Sequence, residues 1–171
     1  MVEGARPDDG IAGAIDAVVS TSRVLVAVAA RALANVGGDL TLPQFRMLVV
    51  LAEAGPQTVA QLAPQLDVHG STATRMCSRL AAKQLVSKRP STGDRREVLV
   101  TLRTQGGRIV DTVAQRRESE IAAVVTALPV GQRRALADAL TAFADAAGRH
   151  AGPPSTFAWP APGEPASTRE A

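Results

Sequence analysis

The chain has 171 residues, 46% hydrophobic and 2% aromatic, with a net charge of +3. That length buries one core of ordinary size, and the composition makes it a helical core of Ala, Val and Leu. Tyrosine is absent and the aromatics are Phe45, Phe143, Phe157 and Trp159, too few stacking platforms for a protein that binds single strands through its bases.

Residues 1–9 read as a flexible N-terminus. Ile11, Ile15, Val18, Leu25, Ala29 and Leu33 then recur at spacings of three, four and seven, the stripe of an amphipathic helix over about 10–36 that closes at Gly37-Gly38. A second helix, Leu42 to Ala54, turns Phe45, Leu48, Val49 and Ala52 inward, with Thr41 as N-cap and Gly55-Pro56 as its stop. From Thr58 to Leu66 the apolar face is Val59, Leu62 and Leu66. After a turn at Asp67 to Gly70 a new stripe follows at Ala73, Met76, Cys77 and Leu80. This pattern predicts two short helices joined by a tight turn, the second leaving Ser71, Thr72, Arg75, Ser78 and Arg79 largely exposed.

Leu85 to Arg89 and Glu97 to Leu102 are β-type runs separated by Pro90-Ser91-Thr92-Gly93-Asp94, which predicts a hairpin. A helix-turn-helix followed by a hairpin is a winged helix. Beyond it, Thr104 to Ala127 presents Val110, Val113, Ile121, Val124 and Leu128 as the stripe of a long helix, and after Pro129 a last helix shows Leu136, Leu140, Phe143 and Ala147. The stretch from Gly152 onward is rich in Pro, Ala, Gly and Ser, and residues 149–171 read as a disordered tail. The expected architecture is mainly α, of the α+β winged-helix type. One domain over 10–148 comprises a winged helix at about 41–103 between long N- and C-terminal dimerisation helices at about 10–36 and 104–148.

Charge is concentrated in the same place. Between Ser71 and Arg108 stand nine basic side chains against two acidic ones, a local balance of +7 that leaves −4 for the rest. A cationic run often belongs to a solvated face. This one coincides with a helix-turn-helix, and small hydroxyls beside arginines suit a helix lying close to base edges and phosphates.

These residues together resemble the MarR family of bacterial transcriptional regulators. The resemblance rests on LTLPQF at Leu40 to Phe45, the helix-turn-helix from Val59 to Leu80, the LVSKRPSTGDRREVLVTL wing from Leu85 to Leu102, and Gly106 opening a long helix. It covers roughly Leu40 to Ala147. The chain departs from the family pattern at Asp67 and Gln84, where glycines are usual. It departs again at His69 and Arg103, where Ser and Thr are common, and Ser71 and Thr104 are expected to take over capping there. Asp tolerates the left-handed conformation of a helix stop, whereas Gln does so poorly.

Site roles follow. Ser71, Thr72 and Arg75 are the candidate groove contacts, with Arg75 placed to read a guanine through two hydrogen bonds. Arg79 and Lys88 are candidate phosphate clamps. Arg95 resembles the family arginine that enters the minor groove, while Asp94 and Arg96, the D-x-R pair, are expected to tie the wing. Surplus apolar surface on the outer helices, together with the resemblance, implies a homodimer that places two recognition helices about 34 Å apart on palindromic double-stranded DNA. The resemblance also implies a small aromatic or anionic effector in a cleft beside the dimerisation helices. Arg23, Arg31 and Arg46 are cationic there, but nothing in the sequence singles out a ligand residue.

Catalytic chemistry, a cofactor and a metal find no support. His69, His150 and the single Cys77 make no metal set, and no phosphate loop or nucleophile elbow is present. Cys77 lies on the apolar side of the recognition helix and reads as an inert small hydrophobe. The lone cysteine suits a reducing cytoplasm, and no uninterrupted apolar run approaches membrane-spanning length, so neither export nor insertion is expected. The reading is a ligand-released, sequence-specific repressor. The alternatives are a helical protein-interaction module and a non-specific DNA-coating protein, and salt-dependent discrimination between duplexes separates them.

Overall fold

The computed structural model describes residues 9–36, 40–91 and 97–151. Along the chain they form α1 (Asp9–Ala34), α2 (Leu42–Ala54), β1 (Gln57–Thr58), α3 (Val59–Gln65), α4 (Gly70–Ala82), β2 (Val86–Pro90), β3 (Val98–Leu102), α5 (Thr104–Thr126) and α6 (Val130–Ala151). This is the expected winged helix between long outer helices. The short strand β1 was not anticipated, because two residues cannot display alternation. It exists because its partner does: β3 lies between β1 and β2 in an antiparallel sheet, with Val100 opposite Gln57 on one side and Lys88 on the other.

Helix ends follow local chemistry, with one set of exceptions. The Thr58 side chain accepts from the Gln61 amide at 3.3 Å while Gln61 Oε1 accepts from the Thr58 amide at 2.8 Å, a reciprocal cap that starts α3. At α2 the Thr41 amide donates to Gln44 Oε1, and Gly55 stops the helix at φ 73. The expected takeover of capping by Ser71 and Thr104 does not occur. His69 and Arg103 occupy the N-cap positions of α4 and α5 without side-chain caps, leaving Ser71 and Thr104 inside the helices, beyond the extended backbone an N-cap requires.

The core of the winged helix is built from Phe45, Leu48 and Leu51 of α2, Leu62 of α3, Cys77 and Leu80 of α4, Val86 and Val100 of the sheet and Val113 of α5, all essentially inaccessible. Only the C-terminal part of α1 joins this body. Val28 and Ala32 are buried, Arg31 meets Glu120 of α5 at 2.8 Å, and Arg116 donates to the Asn35 carbonyl at 2.6 Å.

The remainder of α1 exposes Ile11, Ile15, Val18, Val19, Val24 and Val26. By length and composition α1 is long and apolar enough to cross a membrane, with a mean hydropathy of 1.7 over its most apolar stretch. The absence of an uninterrupted apolar run stands, since Asp16, Arg23 and Arg31 break the stretch, but its average hydropathy reaches this level despite them. α6 also departs from expectation, running to Ala151 rather than ending near residue 148, since one glycine, Gly148, after the helix formers Ala146 and Ala147 costs only about 1 kcal/mol. Among the described residues α6 packs extensively on no other element. Its start is held by Arg133, whose guanidinium donates to the carbonyls of Thr126 and Leu128 at the end of α5.

Candidate nucleic-acid interface

The interface is assembled on α4. Asp67 takes the left-handed conformation at φ 53 and reverses the chain after α3. α4 then buries Ala73, Met76, Cys77 and Leu80 against α3 and β2, with Cys77 reaching Met47 of α2. What the apolar stripe leaves outward is hydroxyl and guanidinium: Ser71, Thr74, Arg75, Ser78 and Arg79 are exposed and Thr72 is half-buried. Arg75 Nη2 donates to Thr72 Oγ1 at 3.4 Å, a long bond that steers the guanidinium toward the N-terminal end of the helix.

Thr74 and Ser78 turn their hydroxyls back to the carbonyls of Gly70 and Thr74, at 2.9 and 3.0 Å. Ser78 also accepts from Lys88 Nζ on β2 at 3.0 Å. Lys88, expected to clamp a phosphate, is thus engaged with the recognition helix. Thr74 was missed as an outward group; its spacing of three from Ser71 was the available signal.

Around α4 the cationic surface continues through Lys83, Arg89, Arg103 and Arg108, all exposed. Gln84, left-handed at φ 60, accepts a hydrogen bond from the Arg103 guanidinium, tying the end of α4 to the start of α5. The Ser91 amide donates to the Glu97 carbonyl at 2.8 Å and closes the base of the wing. Asp94, Arg95 and Arg96 lie outside the described residues.

Cys77 sits behind the recognition face, its sulfur 3.6 Å from Met47 Sδ. Burial pushes its thiol above the ordinary range, opposed by the nearby Lys88 charge. The protonated form is favoured, so the thiol is a poor nucleophile.

A second feature lies away from α4. A cavity of about 630 Å³ separates α1 from α2, walled by Leu25, Ala29, Leu33 and Val49 and bordered by Arg46 and Arg117. Glu53 also lines it, and burial raises the Glu53 carboxyl and lowers the Arg117 guanidinium, each toward its neutral form. Of the three arginines considered from sequence, Arg46 lines this cavity and Arg31 is committed to Glu120, while Arg23 is not part of its lining. Arg117 was not anticipated, since only the packing of α5 beside α1 and α2 brings it here.

Comparison with known proteins gives this geometry a lineage. Residues 40–98 match the MarR family. The chain is 34% identical to the HTH-type transcriptional repressor NicR of Pseudomonas putida, over 57% of this chain and 62% of that protein. It is 36% identical to the multiple antibiotic resistance protein MarR of Salmonella typhimurium, over 46% of this chain and 54% of that one. These matches span about half to two thirds of those relatives. Over its greater length the chain resembles the crystal structure of RV1404 from Mycobacterium tuberculosis, with 38% identity, a TM-score of 0.74, and coverage of 86% of this chain and 99% of that one. The winged helix, the family match over its residues and the nearly end-to-end likeness to a solved relative agree: this chain belongs to the MarR family of winged-helix transcriptional regulators.

Proposed function

We propose that the chain is a homodimeric, sequence-specific duplex-DNA repressor that a small molecule releases. The observation that carries the reading is α4: a helix anchored by four buried apolar residues whose exposed polar side chains are all hydroxyls and arginines. A helix of this make-up fits the major groove, where side chains reach base edges and phosphates together. NicR, a repressor by name, supports the same reading.

Within it, Ser71, Thr72 and Arg75 read bases, Arg79 neutralises a phosphate, Arg95 enters the minor groove, and Asp94 with Arg96 holds the wing. The winged helix at about 41–103 reads DNA, and the helices on either side join two copies. The exposed apolar length of α1, together with Leu140 and Phe143 of α6, is surface that a second copy buries. The effector site is the cavity between α1 and α2, within the volume range of small-molecule pockets. Its apolar walls suit a ring and its arginines an anionic group. A ligand there releases DNA to the extent that it prefers a helix spacing DNA does not accept. Such a regulator works where the chromosome is, in the cytoplasm.

The test is fluorescence anisotropy with duplex from the gene's own upstream region and with a scrambled duplex, each at several salt concentrations. Tight binding confined to the native duplex is expected, and Arg75→Ala is expected to weaken it by about 1–3 kcal/mol while relaxing base preference at one position. Equal, salt-sensitive binding to both duplexes would point to DNA coating instead. No binding at low salt would point to a protein partner.

A further inference from the structure

The bond between Ser78 and Lys88 joins the two parts of the molecule that the DNA-binding reading sends into different grooves, and neither residue needs a phosphate to explain its position. Ser78 lies seven residues beyond Ser71, hence on the same side of α4 but toward its C-terminal end. Its one hydroxyl proton goes to the Thr74 carbonyl at 3.0 Å, and the oxygen accepts from Lys88 Nζ at 3.0 Å. Lys88 is two residues after the buried Val86 in β2, so strand alternation puts both on the sheet face that meets α4, with Ser87 and Arg89 on the other. The influence of the Lys88 charge on the Cys77 thiol agrees with that direction.

β2 packs on α4 through the buried Val86, and a cavity of about 240 Å³, lined by Thr58, Val59, Thr74, Cys77, Lys88 and Glu97 among others, opens beside that contact. The bond from Lys88 to Ser78 adds a polar tie at the exposed edge of the same packing.

We propose that Ser78 and Lys88 form a strut that fixes the angle of the wing relative to the recognition helix, making both positioning residues for DNA recognition. This rests on the DNA-binding reading above. Lys88 then contributes to affinity by holding β2 in register with α4, without neutralising a phosphate.

The test compares wild type, Ser78→Ala, Lys88→Ala and the double variant in duplex titrations over a range of salt. A strut predicts that all three variants bind about two- to fivefold more weakly, the range expected of an exposed charged contact. The double variant is no worse than either single one, the slope of log affinity against log salt is unchanged, and Ser78→Thr restores binding. Alanine is the better helix former, so the Ser78→Ala thermal midpoint does not fall, which separates lost positioning from lost folding.

Two outcomes overturn the strut. If Lys88→Ala lowers the salt slope by about one while Ser78→Ala binds normally, Lys88 is a phosphate contact; if only Ser78→Ala weakens binding, the hydroxyl touches DNA directly. An arm without DNA separates failure of the strut from failure of the reading beneath it. In ¹⁵N spectra of the free protein, the hydrogen-bonded Lys88 ammonium exchanges its protons more slowly in wild type than in Ser78→Ala. Equal exchange removes the strut. The expected difference in a wild-type protein that binds no duplex removes the DNA-binding reading and, with it, the strut's role in recognition.

Discussion

Gln84 holds a backbone conformation at φ 60 that glycine would adopt freely. A residue with a β-carbon pays roughly 1–2 kcal/mol there, and the compensation is one exposed hydrogen bond accepted from Arg103. Gln84→Gly is therefore expected to stabilise the fold by about 1 kcal/mol and raise the thermal midpoint by about 2–4 °C. A lower midpoint would show that the Arg103 bond outweighs the strain. Asp67, also left-handed, carries less strain because its short polar side chain tolerates that region. At Cys77 burial raises the thiol pKa, so above the unfolded-state pKa the unfolded chain loses a proton that the native protein keeps. The stability this confers is complete below that pH and declines as pH rises toward the native value. Cys77→Val should flatten the alkaline fall in stability by up to about 1.4 kcal/mol per pH unit, measured by urea unfolding of both proteins between pH 8 and 10. Parallel curves would show that Cys77 does not contribute to it.

At the scale of elements, α5 approaches the sheet so closely at Gly106 that a β-carbon there would collide with the Leu85 carbonyl and the Leu102 side chain. The backbone cannot yield, because the Leu85 carbonyl also accepts from the Arg103 amide at 3.0 Å. Gly106→Ala is thus expected to destabilise by about 1–3 kcal/mol despite alanine's higher helix propensity, the cost of an overpacked contact exceeding that gain. Denaturant unfolding measures it, and a stabilised variant would mean that α5 moves away freely. Most elements were legible in the sequence because their signals are local: apolar spacing for α1 to α6 and turn residues for the hairpin. The capping of α4 and α5 was not, since hydroxyls near a helix start do not reveal which residue has extended backbone. Nor was β1, which is a strand only by virtue of β3.

For the whole molecule, the exposed apolar face of α1 has the largest consequence. Ile15 and Val19, one turn apart, are 56% and 45% accessible. Replacing both with Arg is expected to give a species that sediments as a monomer at micromolar concentration, with affinity for a palindromic duplex reduced at least about 100-fold by the loss of linked half-site binding. A double variant that remains dimeric would place the subunit interface elsewhere. The proposed roles of Ser71, Thr72, Arg75 and Arg79 rest on position on α4, and sequence spacing alone supplies that position. The connection from Lys88 to Ser78 does not follow from spacing, because it depends on how the hairpin lies across the helix.

Periodicity, turn residues and charge determined the winged helix, the outward identity of α4 and the surplus apolar surface of the outer helices, because each is a property of neighbours in sequence. Tertiary structure alone decided that Arg46 and Arg117 border one cavity, that Arg31 is paired with Glu120, and that Lys88 bridges to Ser78. Those pairings join residues 10 to 89 positions apart, and a long side chain finds such a partner only once the elements have packed.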